Sequence, residues 1–535
     1  MPRARDLGAF ALAAVSLWVG LGSYGLVEPS DARYAEIARE MWASGDWVFP
    51  RLLGIHHFHK PPLIYWVTSL GYAALGPTEW GARAGQGVLA ATLVLVLWRF
   101  ARRHLGEAAG TWAVALAATT PAVVGAERML TTDLLLCLCQ TLVITSAYDI
   151  WSGKGQKSAR IVLYLSLGLA FLTKGPVGWV VPLLVLGPFL VFHRGRGGRG
   201  RPWGIAWGVP LALAVALPWF AYVVAATPGL LDYFLGGQIV SRLRSGGMGH
   251  PHPWHYYLVV FPALGLPWIL LAPAGRRVAA GRSPPLASLL VLWALVPPAF
   301  FSLPATKLPL YVLAAYPAVC LLGAGALAGA PQETRTPLRW CGGVTLLLAG
   351  AALVVGLGVV PIKGGDLAAV PPGRIGELFL PLAAVLGLAG AGALAWTART
   401  GARPGAAAAC LAVALAATTA WAFSRGDALP LRTARPVGRA ALALWEPGTV
   451  LAEYRSLSAG FAFYTGRLPV LGGIRRELVF EGPPVKARVL DRKAFLELWA
   501  GPRRVLALTR PKRLSELPGA KEIARGGGYV LVENR

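Results

Sequence analysis

Charged residues are scarce in this sequence. They make up 14% of its 535 residues, and only 25 of them are acidic, against 51 lysines and arginines. A soluble globular domain usually carries about a quarter charged residues, whereas 55% of this chain is hydrophobic. The shortage argues against a soluble protein and predicts an integral membrane protein. The formal net charge of +26 would suit nucleic-acid binding, but no basic and aromatic binding module is present, so we expect no nucleic-acid partner.

Cysteine is also scarce, with five in the whole chain. All five lie in apolar segments, and the first two are only two positions apart, which is not the CxxC spacing of a metal pair. We therefore expect small apolar core residues and no disulfide framework. These cysteines are Cys137, Cys139, Cys320, Cys341 and Cys410.

Long apolar runs are abundant and predict about thirteen transmembrane helices, because a spanning helix needs about 20 predominantly apolar residues. The first run follows a basic start and could be taken for a signal peptide, but no small-x-small cleavage motif is evident, so we expect an uncleaved span. The predicted spans are 7–26, 84–101, 108–127, 132–151, 160–173, 175–193, 204–226, 256–273, 285–303, 306–329, 338–360, 376–396 and 404–422.

Alternate loops between these spans are rich in arginine and lysine, as in "RFARRH" (99–104) and "HRGRGGRGR" (193–201). The positive-inside rule places such loops, and the N-terminus, in the cytoplasm of a bacterial inner membrane. The opposite loops hold nearly all acids and histidines, so we expect an active site that faces the periplasm. Since neither ATP nor sugar nucleotides are available there, an enzyme on that side would use a lipid-borne donor.

The character of the sequence changes after residue 423, where short β-like runs alternate with turns and helix-like pieces. We predict a transmembrane domain over residues 1–425 and a small periplasmic α/β domain over 430–535. Within the first domain, residues 28–80 form a periplasmic catalytic loop with interfacial helices, and residues 227–255 form a second periplasmic loop.

The segment "EPSDARYAEIAREMW" (28–42) has apolar residues at helical spacing and charges opposite them. It is too short and polar to span, so it predicts an amphipathic helix at the membrane interface. Ser30 could cap this helix and Asp31 could complement its positive end. The alternative role for Asp31 is catalytic: its carboxylate could accept the proton of an acceptor hydroxyl that attacks an anomeric carbon.

The next polar motif, "HHFHKPP" (56–62), supplies histidines and Lys60. Its His59, together with His250 and His252, could bind a divalent metal such as Zn, Mg or Mn. Interfacial histidines beside aromatic residues are the alternative for each of them. The ammonium of Lys60 suits a phosphate group.

Isolated charges also stand at the ends of later spans. Asp133 begins an apolar span, where a charge is expensive and usually functional, although an acid at a helix N-terminus is the alternative. Lys174 and Lys307 break the basic-inside pattern, and therefore suggest an anionic ligand rather than snorkelling. Arg242 lies in a loop that could close over that ligand.

Taken in order, "EPSDARYAEIAREMWASGDWVFP", "HFHKPPLIYW", "LTTDLLL", "LTKGP", "HPWHYYLVVFPALGLPW" and "TKLPLYVLAAYPA" resemble the polyprenyl-phosphate-dependent glycosyltransferases of the GT-C fold. The nearest likeness is to the 4-amino-4-deoxy-L-arabinose lipid A transferases, and protein O-mannosyltransferases are more distant. The resemblance covers roughly residues 1–330.

This resemblance implies inverting transfer of a sugar from undecaprenyl phosphate. It implies donor-phosphate contacts at Arg33, Tyr34 and Lys60, and Tyr311 matches a cavity tyrosine of the family. The family usually has two adjacent acids where this chain has Ser30 and Asp31, so the base could be Asp31, Asp133 or Glu28. The family usually has glutamate, linked to a metal, where this chain has His59.

We therefore expect a membrane glycosyltransferase whose acceptor is lipid A, lipopolysaccharide or another envelope glycan. Transfer of a different sugar to a protein or polysaccharide is an alternative within the class. A lipid or polysaccharide flippase is the alternative outside it, but transporters place polar residues at mid-membrane, often in inverted repeats. A non-catalytic scaffold would leave Lys174 and Lys307 unexplained.

Overall fold

The structure is a computed structural model, and it describes residues 4–155, 157–195, 203–234, 236, 251–329, 331–359, 372–399, 403–426, 431–473 and 488–535. Arg242, predicted to bind phosphate, and His250, predicted to bind a metal, lie outside the described residues.

Each of the thirteen predicted spans coincides with a helix or a pair of helices, and the polytopic α-helical fold class is confirmed. Eight helices of the described chain are long and apolar enough to cross a membrane, or up to ten if each of two bent pairs is one span. The segments 160–173 and 175–193 are helical, but the predicted span 7–26 is helical only as far as Trp18, and all three fall short of that measure. The helices of this region are Ala4–Trp18, Glu79–His104, Glu107–Thr119, Pro121–Arg128, Asp133–Trp151, Lys157–Lys174, Val177–Phe192, Ile205–Ala216, Pro218–Ala226, Tyr256–Gly265, Ala272–Arg282, Pro284–Ser302, Tyr316–Gly329, Pro331–Gly356, Pro372–Ala398 and Pro404–Ser424, with 3-10 turns at Trp268–Leu271 and Pro309–Ala315.

One bent pair has a simple cause in the sequence. Glu107–Thr119 ends where Pro121 begins the next helix, and the two axes differ by 55°. Proline lacks an amide N–H and so cannot continue the helical hydrogen-bond ladder, although it is well suited to the first turn of a new helix. Just after Pro121–Arg128, the amide of Leu130 donates to Asp31 in the first polar loop at 2.9 Å.

The basic connectors meet at the opposite end of the bundle. Arg103 pairs with Asp149, and the ammonium of Lys154 donates to the backbone oxygen of Arg103 at 2.9 Å. From another connector, Arg282 donates to the backbone oxygen of Leu105 at 2.6 Å. The charge pattern of the sequence therefore corresponds to a physical division of the molecule into two ends.

The helix predicted in the first polar loop is present as Ser30–Ser44, which we call the loop helix. A two-stranded ribbon follows it, made of β1 (Arg51–Leu52) and β2 (Ile55–His56), and then the short apolar helix Leu63–Leu75. The predicted cap is wrong, because Pro29 occupies the N-cap position and no side chain caps the helix.

The polar face of the loop helix is also covered. Glu36 is fully buried and binds Arg39 through two hydrogen bonds of 2.7 Å. The covering element is Ala459–Thr465, a helix from the far end of the chain that packs against the loop helix. The loop helix is thus held between the transmembrane bundle and the C-terminal domain.

The predicted C-terminal α/β domain is confirmed as a six-stranded sheet in the order β5-β4-β3-β6-β8-β7. The first four strands in that order are parallel, and β8 and β7 are antiparallel additions. Two apolar clusters cover its two faces. The strands are β3 (Val450–Tyr454), β4 (Val470–Gly472), β5 (Val489–Leu490), β6 (Val505–Thr509), β7 (Lys521–Gly526) and β8 (Tyr529–Glu533), and the helices are Arg435–Ala443, Ala459–Thr465 and Arg492–Ala500, with a 3-10 turn at Pro511–Glu516.

Candidate functional site

Asp31, the first candidate base, is buried in an ion pair with Arg83. Its Oδ2 also accepts the amide of Val27 at 3.0 Å, and its Oδ1 accepts the amide of Leu130 at 2.9 Å. Both carboxylate oxygens are therefore occupied by groups that hold the loop to the bundle. Arg83 extends this tie by donating to three backbone oxygens, those of Leu21, Tyr24 and Gly25.

This arrangement gives Asp31 an architectural role, and its role as a base stays a prediction. A carboxylate that already accepts two backbone amides and a guanidinium has little capacity left for a substrate proton. The geometry favours a structural role for Asp31 at the start of the loop helix over a role as a base. The sequence predicts only that Asp31 complements its own helix, whereas in the structure Asp31 also pairs with Arg83 of another helix.

Asp133 lies at the start of its helix, and its Oδ1 accepts a hydrogen bond from the ammonium of Lys174 at 2.6 Å. The same ammonium lies 4.5 Å from the ring centroid of Tyr311, a cation–π distance. About a tenth of each charged side chain is exposed, 11% for Lys174 and 12% for Asp133. Three of the residues predicted from separate motifs therefore form one cluster.

Arg33, Tyr34 and Lys60 surround this cluster on the side of the loop helix. Tyr34 hydrogen-bonds with Thr132 and interacts electrostatically with Asp133, Lys174 and Arg33, and burial raises the pKa of its hydroxyl. Lys60 is close enough to Asp133 to act on its charge. The loop thus brings two more cations and a phenol to the Asp133–Lys174 pair.

Lys307 does not direct its ammonium at this group. It is 2% exposed and donates to the backbone oxygens of His252, at 3.0 Å, and Pro304, at 2.5 Å. The bond to His252 joins two chain segments that are 55 positions apart. The donor-phosphate role of Lys307 stays a prediction, which these contacts do not support.

The candidate metal-binding histidines that the structure describes, His59 and His252, pack against other rings. His59 stacks on His57 with centroids 4.3 Å apart, and His252 stacks on Tyr256 at the same distance. Burial lowers the pKa of His57 well below its usual value, helped by the charges of Arg33 and Lys60. Nowhere among the described residues do three or more His, Cys, Asp or Glu side chains converge in a way that could hold a metal ion. The divalent metal stays a prediction, and we derive no step through it.

Glu28, the third candidate base, is bound by the C-terminal domain. Its Oε1 accepts the hydroxyl of Ser458 at 2.6 Å and the amide of Gly460 at 2.8 Å. A Cβ on Gly460 would stand 3.0 Å from that same oxygen, so a side chain here would require Glu28 to shift by a few tenths of an ångström. Glu453 completes the junction by accepting the amide of Ser458 at 2.7 Å.

Four carboxyl groups lie near each other at this junction: Glu28, Glu36, Glu40 and Glu453. Burial raises the pKa of all four, that of Glu36 to about 8 and that of Glu453 well above its usual value. Hydrogen bonds and Arg39 oppose the shift of Glu36 without cancelling it. The folded junction therefore holds protons that the unfolded chain would release near neutral pH.

This predicts a junction that weakens as pH rises. A carboxyl whose folded pKa is raised adds stability that is fully present below its unfolded pKa, near 4.5, and is lost as pH rises toward about 8. The slope is at most about 1.4 kcal/mol per pH unit for each such group. We expect the Tm of the purified protein to fall between pH 5 and about pH 8, and Glu453→Gln to flatten that dependence. An unchanged slope in this variant would contradict the role of Glu453.

Three residues with central contacts are not predicted from the sequence: Arg83, Glu453 and Ser458. Arg83 stands next to a predicted span, where a lone charge in an apolar setting is itself a signal. Glu453 and Ser458 lie in a β-like segment that looks ordinary without its partners. Their importance depends on contacts across 430 positions of the chain, and residue spacing carries no such information.

The sequence and the fold of this chain are similar to those of known proteins. Residues 59–222 match the family model described as dolichyl-phosphate-mannose-protein mannosyltransferase. The undecaprenyl phosphate-alpha-4-amino-4-deoxy-L-arabinose arabinosyl transferase of Pseudomonas paraeruginosa is 32% identical over 384 residues, which are 71% of this chain and 69% of that protein. Transferase 1 of the same description from Pseudomonas fluorescens is 31% identical, over 62% of this chain. The alignment spans about three fifths of its length, 61%.

Two solved structures resemble the whole chain. The crystal structure of ArnT from Cupriavidus metallidurans in the apo state has a TM-score of 0.84 and 25% identity, covering 99% of this chain and 97% of that one. The same protein bound to undecaprenyl phosphate has a TM-score of 0.85 and 26% identity, covering 99% and 98%. The likeness therefore includes the C-terminal domain.

Proposed function

The chain belongs to the undecaprenyl phosphate-alpha-4-amino-4-deoxy-L-arabinose arabinosyl transferase family, and from this premise we propose that it is an inverting glycosyltransferase. Its donor is a sugar linked to undecaprenyl phosphate, as the names of its relatives and the ligand of the matched crystal structure suggest. Its acceptor is lipid A or another glycolipid of the cell envelope. The sugar we favour is 4-amino-4-deoxy-L-arabinose.

The observation that carries this proposal is the group formed by Asp133, Lys174 and Tyr311, with Lys60 and Arg33 beside it. In this group Lys174 and Lys60 act on the single carboxylate of Asp133, and Arg33 acts on the hydroxyl of Tyr34 beside it, so the cations outnumber the carboxylate. Charges at the edge of a membrane domain are costly and usually serve function. Such an excess of positive charge suits the phosphate of a lipid-linked donor.

The proposed reaction is a single displacement. An oxygen of the acceptor forms a bond to the anomeric carbon while the bond from that carbon to the phosphate oxygen breaks, and undecaprenyl phosphate leaves with the electron pair. The leaving phosphate gains negative charge in the transition state, where Lys60, Arg33 and Lys174 can stabilise it. One attack inverts the anomeric centre, and a second carboxylate is not required.

The pairing of Asp133 bears on the choice of acceptor. A carboxylate held at 2.6 Å by an ammonium is a weak base, because the cation stabilises its ionised form. A hydroxyl acceptor would need a stronger base, whereas a phosphate oxygen is already ionised at neutral pH. This supports a phosphate group of the acceptor as the attacking nucleophile, with Asp133 acting mainly to position Lys174.

We propose that the site faces the periplasm of a bacterial inner membrane and that the N-terminus lies in the cytoplasm. The support is the gathering of basic connectors around Arg103, Lys154 and Arg282 at the far end of the bundle. Membrane proteins keep such loops in the cytoplasm. The acidic loops and the C-terminal domain then lie on the periplasmic side.

The direct test is transfer by the purified protein in detergent, with undecaprenyl-phosphate aminoarabinose as donor and lipid A as acceptor, followed by mass spectrometry of the product. A product heavier by one aminoarabinose is expected. If lipid A stays unmodified while the protein is folded and the same donor is consumed by a related enzyme, this sugar and acceptor assignment is overturned.

Lys60→Ala tests the donor-phosphate contact. We expect kcat/KM for the donor to fall roughly tenfold to hundredfold, because one charge on the leaving phosphate is lost, and Lys60→Arg to recover part of it. Lys521→Ala, an exposed lysine on the C-terminal sheet, is the matched control. An equal loss in the control, or none in Lys60→Ala, would remove Lys60 from the site.

A further inference from the structure

The parallel part of the C-terminal sheet has a feature that the proposed transfer does not use. The chain runs from β3 outward to β4 and β5, then returns to place β6 on the other side of β3. The strand order therefore reverses between β3 and β6. In open sheets with parallel strands, ligands bind in the crevice outside the carboxyl ends of the strands at such a reversal.

The connections after β3 and β6 leave on opposite faces and so open this crevice. After β3 the chain enters Ala459–Thr465, whose Phe461 packs in the apolar cluster of Leu451 and Leu506. After β6 it enters Pro511–Glu516, which ends at Leu517 in the cluster on the other face. Between them lie the strand ends, where Thr509 Oγ1 donates to the backbone oxygen of Tyr454 at 3.0 Å.

An excess of positive charge stands at this edge of the sheet. Glu516 receives Arg455 at 2.8 Å and Arg513 at 2.7 Å, and Arg492 approaches it to 4.0 Å. Three guanidinium groups thus share one carboxylate, while Arg455 and Arg513 each keep about a third of their side chain exposed. The hydrogen bonds from these two arginines lower the pKa of Glu516 to about 2. An arginine fork matches the oxygens of a phosphate group.

A second observation concerns the residues that directly follow β3 and β6. Ser456, directly after Arg455, is 4% exposed, and its hydroxyl has no hydrogen-bond partner among the described residues. The Nε of Arg510, directly after β6, is likewise buried without a hydrogen-bond partner there. Buried polar atoms are nearly always satisfied, and one on each side of the crevice could be satisfied by a ligand that bridges the two strand ends.

The crevice is also close to the loop of residues 28–80. Arg455 is three residues before Ser458, which binds Glu28 of the catalytic loop at 2.6 Å. Three residues span at most roughly 11 Å. Glu28 in turn interacts electrostatically with Arg33, which lies beside the proposed transfer site.

From these contacts we propose that the crevice between β3 and β6 binds a phosphate group of the glycolipid acceptor, other than the phosphate that receives the sugar. Arg455 and Arg513 supply the charge, and Ser456 and Arg510 supply the buried donors. The proposal rests on the proposed function for the identity of the acceptor.

The test compares lipid A carrying two phosphates with lipid A carrying one. Arg455→Gln combined with Arg513→Gln is expected to raise KM for the diphosphorylated acceptor about tenfold, with KM for the monophosphorylated acceptor and for the donor unchanged. Glu516→Gln removes the shared carboxylate and is expected to lower KM for the diphosphorylated acceptor about twofold to threefold. Arg525→Gln, from an exposed pair with Glu522, is the control.

The double arginine variant and Glu516→Gln are expected to change KM in opposite directions, which separates a loss of binding from a loss of folding. If the cluster were merely structural, both variants would be destabilised and both would bind the acceptor less well. Equal KM rises with both acceptors, no change, or a rise in Glu516→Gln would overturn the proposal. Native mass spectrometry of the full chain with diphosphorylated lipid A and no donor measures binding at the crevice without catalysis.

If the wild-type protein transfers no sugar but binds lipid A, and the double variant loses this binding, the proposed function is wrong and the proposed site is supported. If transfer proceeds and the variants match wild type, the site alone fails.

Discussion

Asp133→Asn is expected to lower kcat for sugar transfer about a thousandfold. The carboxylate of Asp133 holds the ammonium of Lys174 at 2.6 Å and under the ring of Tyr311. An amide there would leave Lys174 without its ionic partner and free to move, so the preorganised charge for the leaving phosphate would be lost. The measurement is single-turnover transfer from the undecaprenyl-phosphate donor at saturating acceptor.

A double-mutant cycle makes this prediction sharper. Because Asp133 and Lys174 act as a pair, Lys174→Met together with Asp133→Asn should cost little more than either change alone. Glu522→Gln removes the carboxylate of an exposed pair with Arg525 on the C-terminal sheet and serves as the matched control. Wild-type kcat in Asp133→Asn, or strictly additive losses in the cycle, would show that the pair does not work as a unit.

Asp31→Asn is expected to affect folding first and activity only as a consequence. The change leaves the guanidinium of Arg83 buried without an ionic partner. Breaking a buried ion pair by removing one member costs about 3–5 kcal/mol. We expect a Tm lower by several degrees and a poor yield of monodisperse protein, measured by thermal unfolding and size exclusion in detergent.

The outcome also decides between the two roles of Asp31. Arg83→Met combined with Asp31→Asn removes the uncompensated charge, so the double variant should be more stable than Asp31→Asn alone. A base would behave differently: Asp31→Asn would then fold normally, bind donor and transfer no sugar. A stable but inactive variant would restore Asp31 as the base.

The helical part of the fold could be predicted from the sequence because the bilayer restricts it strongly. A run of about 20 apolar residues has few structures open to it in lipid other than a spanning helix. The arginines of 99–104 and 193–201 indicate which end of the neighbouring helices faces the cytoplasm. The break at Pro121 is equally local. These features depend on neighbouring residues, and neighbours are what a single sequence displays.

The candidate site could be predicted only in part. Asp133, Lys174 and Tyr311 were each singled out, and the structure brings them together. That Asp31 would meet Arg83 could not be predicted, since the two lie 52 positions apart on separate helices. Nor could the polar face of the loop helix reveal that a domain from the far end of the chain would cover it. Long-range pairing follows from tertiary packing, which local pattern does not encode.

The bond between Ser458 and Glu28 also sets an order for biosynthesis. Glu28 leaves the ribosome while its partner, 430 positions later, has still to be made. Membrane helices insert as they emerge, so the bundle is in place before the sheet that closes over the loop helix exists. The loop of residues 28–80 is therefore synthesised before the C-terminal sheet and reaches its final packing only after that sheet has formed. The contact between Ser458 and Glu28 thus closes this part of the fold after the helices between them have inserted.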